Sequence, residues 1–380
     1  MRRMAVLVLA TLLGACVLCG CERTEDVEVQ SLPTVVRLGH VGHDHHTALY
    51  VAMDNADMYR DRSSVDVNVV EDRKFYEFRR AGRKTADLEI VRVGGGSQMP
   101  TALAQGVIDV GFGGVAPVLA AIDSGAPIKL IAPLHYKGDM FVVRPGFEAA
   151  TWEEFVAVAK AAEQPLRIGY KNPVACAKVI FEEALRHEGI AFGGDPSEEG
   201  LRVHMVNVKG GGKLNVALSG GLIDGYVGNN PFPSIAVEQG LGRIVCDLEA
   251  LPPGTFRDHP CCCIAARTEA IREKPEAITD LLVLFLQASN TIEQDLDTAV
   301  AAAVRWIGTS EAVERMSIPT SGYSMETSLR WYDTMAQWIE AMQGLGIFRQ
   351  ELKDQSAEEA AKIAYDFSLL EKARQRLADQ

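Results

Sequence analysis

Four of the chain's eight histidines fall within seven residues, His40-Val41-Gly42-His43-Asp44-His45-His46. Clustered imidazoles are the material of metal sites, and Asp44 among them would assist or orient one ring. The same stretch serves equally as a polar turn in which one or two rings touch an organic ligand. A second concentration is Asp258-His259-Pro260-Cys261-Cys262-Cys263. In a regular strand alternate residues share a face, so Cys261 and Cys263 would lie together and Cys262 would oppose them. Three thiols so arranged do not easily ligate one metal, and they also suit the core of a buried strand as small apolar side chains. Joined across the fold, His45, His46, His259 and Cys261 would make a soft site for a transition metal or a metal chelate. The spacing matches no zinc-finger pattern. Two glycine turns offer different chemistry. Val93-Gly94-Gly95-Gly96-Ser97 runs into a helix near Met99, and Gly111-Phe112-Gly113-Gly114-Val115 runs into another. Free amides and helix N-termini in such turns hold an oxyanion or a polar ligand group. Neither turn contains a lysine or arginine.

These residues sit in a recurring strand-helix pattern. Val35 to Gly39, Val65 to Val70, Leu88 to Val93, Val107 to Phe112 and Ile128 to Pro133 read as strands. Thr47 to Tyr59, Met99 to Gln105 and Val115 to Ser124 read as helices. Lys74 to Arg83, with Ala81-Gly82 at its turn, reads as an inserted β-hairpin. A second series follows from Met140. Its strands are Met140 to Val143, Leu166 to Tyr170, Val203 to Val208 and Ile223 to Val227. Its helices include Thr151 to Ala162, where Thr151 and Glu154 form a capping box, and Pro173 to His187. Cys261 to Ala266 is a further strand, and the chain from Thr268 onwards is helical in pattern. The alternation implies an α/β protein with mainly parallel sheets and helices on both faces. Two lobes follow: residues 35–136 with 241–380, and residues 137–240. A ligand cleft lies between them.

Gly-Gly-Ser at 95–97, Thr-Ala-Leu-Ala-Gln-Gly at 101–106 and Ile-Asp-Val-Gly-Phe-Gly at 108–113 resemble one family. This is the substrate-binding proteins of ABC importers for nitrate, sulfonate, taurine and thiamine precursors. Leu38-Gly39-His40 ahead of the first helix resembles it too, as does Leu222-Ile223-Asp224-Gly225-Tyr226-Val227 ahead of Asn230-Pro231-Phe232. The resemblance covers residues 35–290. It implies a periplasmic-binding-protein fold of the second type, with a small-molecule ligand held in the cleft and delivered to an ABC permease. By position, it places the ligand among His43, His45, His46, Gly95, Gly96, Ser97, Gly114, Val115, Asn172, Gly228, Asn229 and Asn230. It implies a monomeric binding protein without a cofactor and not an enzyme. Yeast-type thiamine pyrimidine synthases share the fold and carry a cysteine-rich stretch and a reactive histidine, so a catalytic relative is a further alternative. Here Ile264-Ala265 stand where the longer Cys-Cys-Cys-x-Cys pattern would continue. No Gly-x-Ser-x-Gly elbow, phosphate loop or His-Glu-x-x-His occurs.

Arg2-Arg3, the apolar run Ala5 to Leu18 and Leu18-Cys19-Gly20-Cys21 resemble a lipoprotein signal. Residues 1–20 are then the signal peptide, Cys21 the lipidated residue, and 21–34 a tether to the membrane. Localisation in the periplasm or on the outer face of the cell membrane follows. The apolar run is too short to span a bilayer as a helix. With Cys16, Cys19 and Cys21 in that segment, five cysteines remain for the body, where Cys176 and Cys246 are open to disulfide pairing. A net charge of -13 excludes a nucleic-acid footprint. A 47% hydrophobic content supports a sizeable core rather than disorder.

Overall fold

The computed structural model describes residues 34–60, 65–96 and 98–379. The expected signal peptide, Cys21, the tether and Ser97 lie outside the described residues. The strands are β1 (Val35–His40), β2 (Val65–Glu71), β3 (Phe75–Arg80), β4 (Arg83–Arg92), β5 (Val110–Gly114), β6 (Ile128–Lys137), β7 (Asp139–Val143), β8 (Leu166–Tyr170), β9 (Phe192–Gly193), β10 (Val203–Asn207), β11 (Gly225–Asn229), β12 (Arg243–Asp247), β13 (Pro260–Arg267) and β14 (Ser321–Gly322). They form two sheets, ordered β14-β6-β13-β5-β1-β4-β3-β2 and β12-β7-β11-β8-β10-β9.

The sheets are mixed rather than mainly parallel. β1 runs parallel to β4 and β5, and β8 parallel to β10 and β11. The β3–β4 pair is antiparallel because it is the expected hairpin, turning through Ala81 and Gly82 at positive φ. β6 and β13 carry the chain between the sheets, and β13 runs antiparallel to both β5 and β6. β12 pairs with β7, so the chain returns to the first sheet between Asp247 and Pro260 rather than at residue 240.

One local device occurs in both sheets. The Asp109 carboxylate accepts the Arg37 backbone N–H at 2.9 Å, while the Asp109 N–H bonds back to Arg37 O at 2.8 Å. The Asp224 carboxylate accepts the Arg167 N–H at 3.0 Å, and the Asp224 N–H bonds to Arg167 O at 2.8 Å. Each aspartate stands just before a strand and locks the start of its parallel neighbour. The two matching Ile-Asp motifs are therefore strand clamps.

The first sheet packs on helix Pro275–Gln294, where Phe112 and Phe285 meet edge to face at 5.0 Å. Helix Leu329–Gly344 covers the start of β13, and Trp338 Nε1 donates to Pro260 O at 2.9 Å. In the second sheet, helix Trp152–Ala161 begins with the expected capping box of Thr151 and Glu154. No helix among the described residues is long and apolar enough to cross a membrane.

Candidate functional site

The strand ends of both sheets face one cleft of about 650 Å3. From the first sheet come His43, Arg92 and the Gly94-Gly95-Gly96 turn; from the second come Lys171 and Asn229. Lys171 Nζ donates to Asn229 Oδ1, which holds the ammonium on the cleft wall. A side cavity of about 230 Å3 continues past Asn172 to Lys209. Arg92 and Lys209 are cations that the glycine turns alone did not reveal.

Beneath the cleft lies a small cavity of about 20 Å3, lined by His43, His45, His46, Gly114, Asp139, Lys171, Asn172, Cys176, Cys261 and Cys262 among others. His43, Gly96 and Lys171 line both spaces. His45 sits on a short 3-10 turn, Asp44–His46, that precedes helix Thr47–Asp54. Its Nε2 lies 3.3 Å from Gly138 O, at the crossover between β6 and β7. Gly138 has φ 80°, and a Cβ there would lie 2.8 Å from that nitrogen. Only glycine lets the carbonyl come this close.

β13 departs from the regular strand that the cysteine triplet suggested. Its pairing with β6 slips between Pro260 and Cys262 and again between Cys262 and Cys263. Such irregularity re-aims side chains. Cys261 Sγ and Cys262 Sγ both approach His45 Nδ1, at 3.5 and 3.8 Å. Cys263 Sγ instead faces Gly113 O at 3.5 Å. The expected pairing of Cys261 with Cys263 on one face is therefore replaced by Cys261 with Cys262. Cys261 Sγ also donates to Asp139 Oδ2 at 3.0 Å, and His259 Nε2 faces the same oxygen at 3.6 Å. His135 completes the cluster, its ring centroid 3.8 Å from that of His45.

Burial governs the charges here. It lowers His43, His45 and His46 well below the ordinary imidazole value, with Lys171 and neighbouring histidines adding to the effect. His135 falls to about 3 for the same first reason. Burial would raise Asp139, but His259, Lys171 and Cys261 overcome it and hold the carboxylate below its usual value. Burial pushes the Cys261 thiol well up. The cavity thus sets the neutral rings of His43, His45 and His46 and the Cys261 thiol beside one buried carboxylate, with Lys171 on its wall.

The family model matches residues 30–308, with the description "NMT1-like family". The chain belongs to the NMT1-like family. An uncharacterised protein of Methanocaldococcus jannaschii is 32% identical over 136 residues, 36% of this chain and 91% of the relative. Among solved structures, a ligand-binding component of an ABC-type import system from Staphylococcus aureus, with zinc bound, superposes with a TM-score of 0.69 at 16% identity, covering 90% of this chain and 99% of that one. The nitrate-binding protein NrtA of Synechocystis gives 0.68 at 13% identity, covering 92% and 90%. The aliphatic sulphonate-binding protein SsuA of Escherichia coli gives 0.61 at 15%, covering 87% and 92%. The NMT1-like chain therefore has the periplasmic-binding-protein fold, two α/β lobes with extra C-terminal helices.

Not every expected residue of this NMT1-like protein reaches a cavity. Gly95, Gly96, Asn172 and Asn229 line the cleft or its side cavity, and Gly114 the inner cavity. Val115 and Gly228 are buried in the core, and a Cβ on Gly228 would meet Leu214 at 2.8 Å. Asn230 Nδ2 donates to Thr320 Oγ1 at 2.9 Å, and its Oδ1 accepts Ser234 N–H at 3.2 Å. Its amide is occupied in joining the lobes. His46 Nδ1 accepts the Val41 N–H at 3.0 Å, which shapes the turn and leaves it outside the thiol cluster. Asp44 faces Glu314 instead of orienting a histidine, and burial with that second carboxyl raises it well above its ordinary value. Sequence reasoning missed His135, Asp139 and Cys262. The available signal for the first two was a polar residue at the border of an apolar run, His135 after Leu130 to Leu134 and Asp139 before Met140 to Val143.

Proposed function

We propose that this protein is the solute-binding component of an ABC importer and captures a small anionic or polar organic solute between its lobes. The carrying observation is the cleft itself. Its volume, about 650 Å3, suits a small molecule. Arg92 and Lys171 face it from opposite sheets, and the Gly94-Gly95-Gly96 backbone lies between them. Two cations and exposed amides suit an oxyanion of the nitrate, sulfonate or taurine class. The similar solved structures include binders of nitrate and sulphonate, which supports the same class here. Anchoring through Cys21 to a membrane that holds the permease fits the N-terminal apolar run and Leu18-Cys19-Gly20-Cys21. The protein acts on this reading as a monomeric carrier, not a catalyst.

Titration calorimetry with nitrate, taurine and an alkanesulfonate tests the reading. One of them should bind with a single site. Lys171→Met should then weaken it by about 10- to 100-fold, the loss of one charge-assisted hydrogen bond. Binding that is unchanged by Lys171→Met would move the solute away from the cleft.

A further inference from the structure

The cluster under the cleft has an arrangement that solute capture in the cleft does not require. We infer that Cys261, Cys262 and His45, completed by His135, form a binding site for a thiophilic divalent cation of the zinc class. His45 supplies the first argument. A carbonyl can only accept, so the bond to Gly138 O puts the His45 proton on Nε2. Nδ1 then carries a lone pair, aimed at Cys261 Sγ and Cys262 Sγ at 3.5 and 3.8 Å. A ligating imidazole tied through its other nitrogen to a backbone carbonyl is the usual arrangement around a metal.

The spacing supplies the second argument. Zinc bonds of about 2.3 Å to sulfur and 2.0–2.1 Å to nitrogen, set tetrahedrally, separate the donors by roughly 3.6 Å. The two observed separations bracket that value. The slipped register of β13 produces this geometry, because adjacent cysteines of a regular strand would point apart. The donor atoms of His45, His135, Cys261 and Cys262 all lie within 4.8 Å of one another. Two sulfurs with two nitrogens is a zinc-type set.

An empty cluster leaves a buried polar group unpaired. His135 Nε2 is buried and makes no hydrogen bond among the described residues. Its Nδ1 accepts the Cys262 N–H at 3.0 Å, so the unligated ring carries its proton on Nε2. For ligation through Nε2 the ring proton moves to Nδ1 and the bond from Cys262 N–H is given up, while the other three donors are already aimed. Binding converts two thiols to thiolates, and their two protons leave to the solvent. Two thiolates balance one divalent charge, so the buried site gains no net charge beside Lys171. Asp139 and His259 stand behind Cys261 and orient it. Access runs from the cleft, since His43, Gly96 and Lys171 line both spaces.

Cobalt is the probe. The reduced, metal-free full chain, titrated with Co2+, should develop a thiolate-to-cobalt charge-transfer band and tetrahedral visible bands at one equivalent, and Zn2+ should erase them. Cys261→Ser with Cys262→Ser should abolish the bands; Cys263→Ser and Cys246→Ser should retain them. His135→Ala should weaken Co2+ by about 10- to 100-fold. X-ray absorption of the zinc-loaded natural protein needs no variant and should count two sulfur neighbours. A zinc shell without sulfur, bands that survive loss of both cysteines, or an intact mass showing Cys261 and Cys262 joined in a disulfide would each overturn the site. Nitrate or sulfonate calorimetry on the metal-free protein reads the cleft separately, so neither result decides the other.

Discussion

At the scale of single residues, burial keeps the histidines of the 40–46 stretch neutral. His40 lies outside the thiol cluster, with its ring edge-on to Tyr50 at 5.9 Å and to Trp306 at 5.7 Å. Burial first, then the nearby Arg92, lowers it to about 4. Its folded value is below the unfolded one, so the unfolded chain takes up the proton first. The stability from a neutral His40 is complete above about pH 6.5 and drains as the pH falls towards 4. His40→Phe keeps the aromatic packing and removes the titration. Between pH 7 and pH 5 the variant should lose about 2 kcal/mol less stability than the natural protein. Urea unfolding at the two pH values measures this, and equal losses would remove His40 from the account. The histidine cluster and the cysteine triplet were legible as chemistry because their residue types are unusual at such density. His135 and Asp139 were not, since each is a single polar residue at the border of an apolar run and its partners lie far along the chain.

At the scale of elements, the Ile-Asp motifs show how a family signature can be architectural. Burial alone would raise Asp109, but the Arg37 backbone N–H, Lys274 and the Arg37 side chain outweigh it and hold the carboxyl below 3.8. Asp109→Asn should cost about 2–4 kcal/mol at pH 7, because it breaks a buried charge-assisted clamp. A lowered carboxyl stabilises above its unfolded value and loses that contribution as pH falls through the folded one. The gap between variant and natural protein should therefore close below about pH 3.8, as read by chemical unfolding across pH. A gap that stays constant would mean that lost packing, not charge, is responsible. The strands and the hairpin could be placed from apolar runs and turn residues. The slip in β13 could not, because every residue of Pro260–Ala266 is buried whichever way it points. An all-buried strand has no polar alternation from which to read its register.

At the scale of the whole molecule, the lobes are joined by more than their crossovers. Asn230 reaches Thr320 at 2.9 Å, Ser310 bonds to Glu238, and Cys176 Sγ lies 3.3 Å from Cys261 O. A Cβ on Gly114 would stand 3.0 Å from Cys176 Sγ, so the lobes meet closely there. Lys137 and Glu249, 3.3 Å apart, tie the two crossovers together. These contacts hold the two lobes against each other. Thr320→Ala removes one, at about 1 kcal/mol. It should enlarge the radius of gyration of the ligand-free protein in X-ray scattering and weaken cleft binding by about fivefold. An unchanged radius and affinity would show that this contact does not govern opening.

The chain's own order of residues determined the α/β class, the glycine turns, the family and the presence of soft metal donors, because these follow from local composition and short-range spacing. Only the tertiary structure decided which donors meet. It brought His45, His135, Cys261 and Cys262 together from three separate segments, bonded Asn230 to Thr320 across the lobes, and set His46 and Asp44 to other partners. Those outcomes depend on strand register and on the packing of one lobe against the other, and neither is written in any local stretch of sequence.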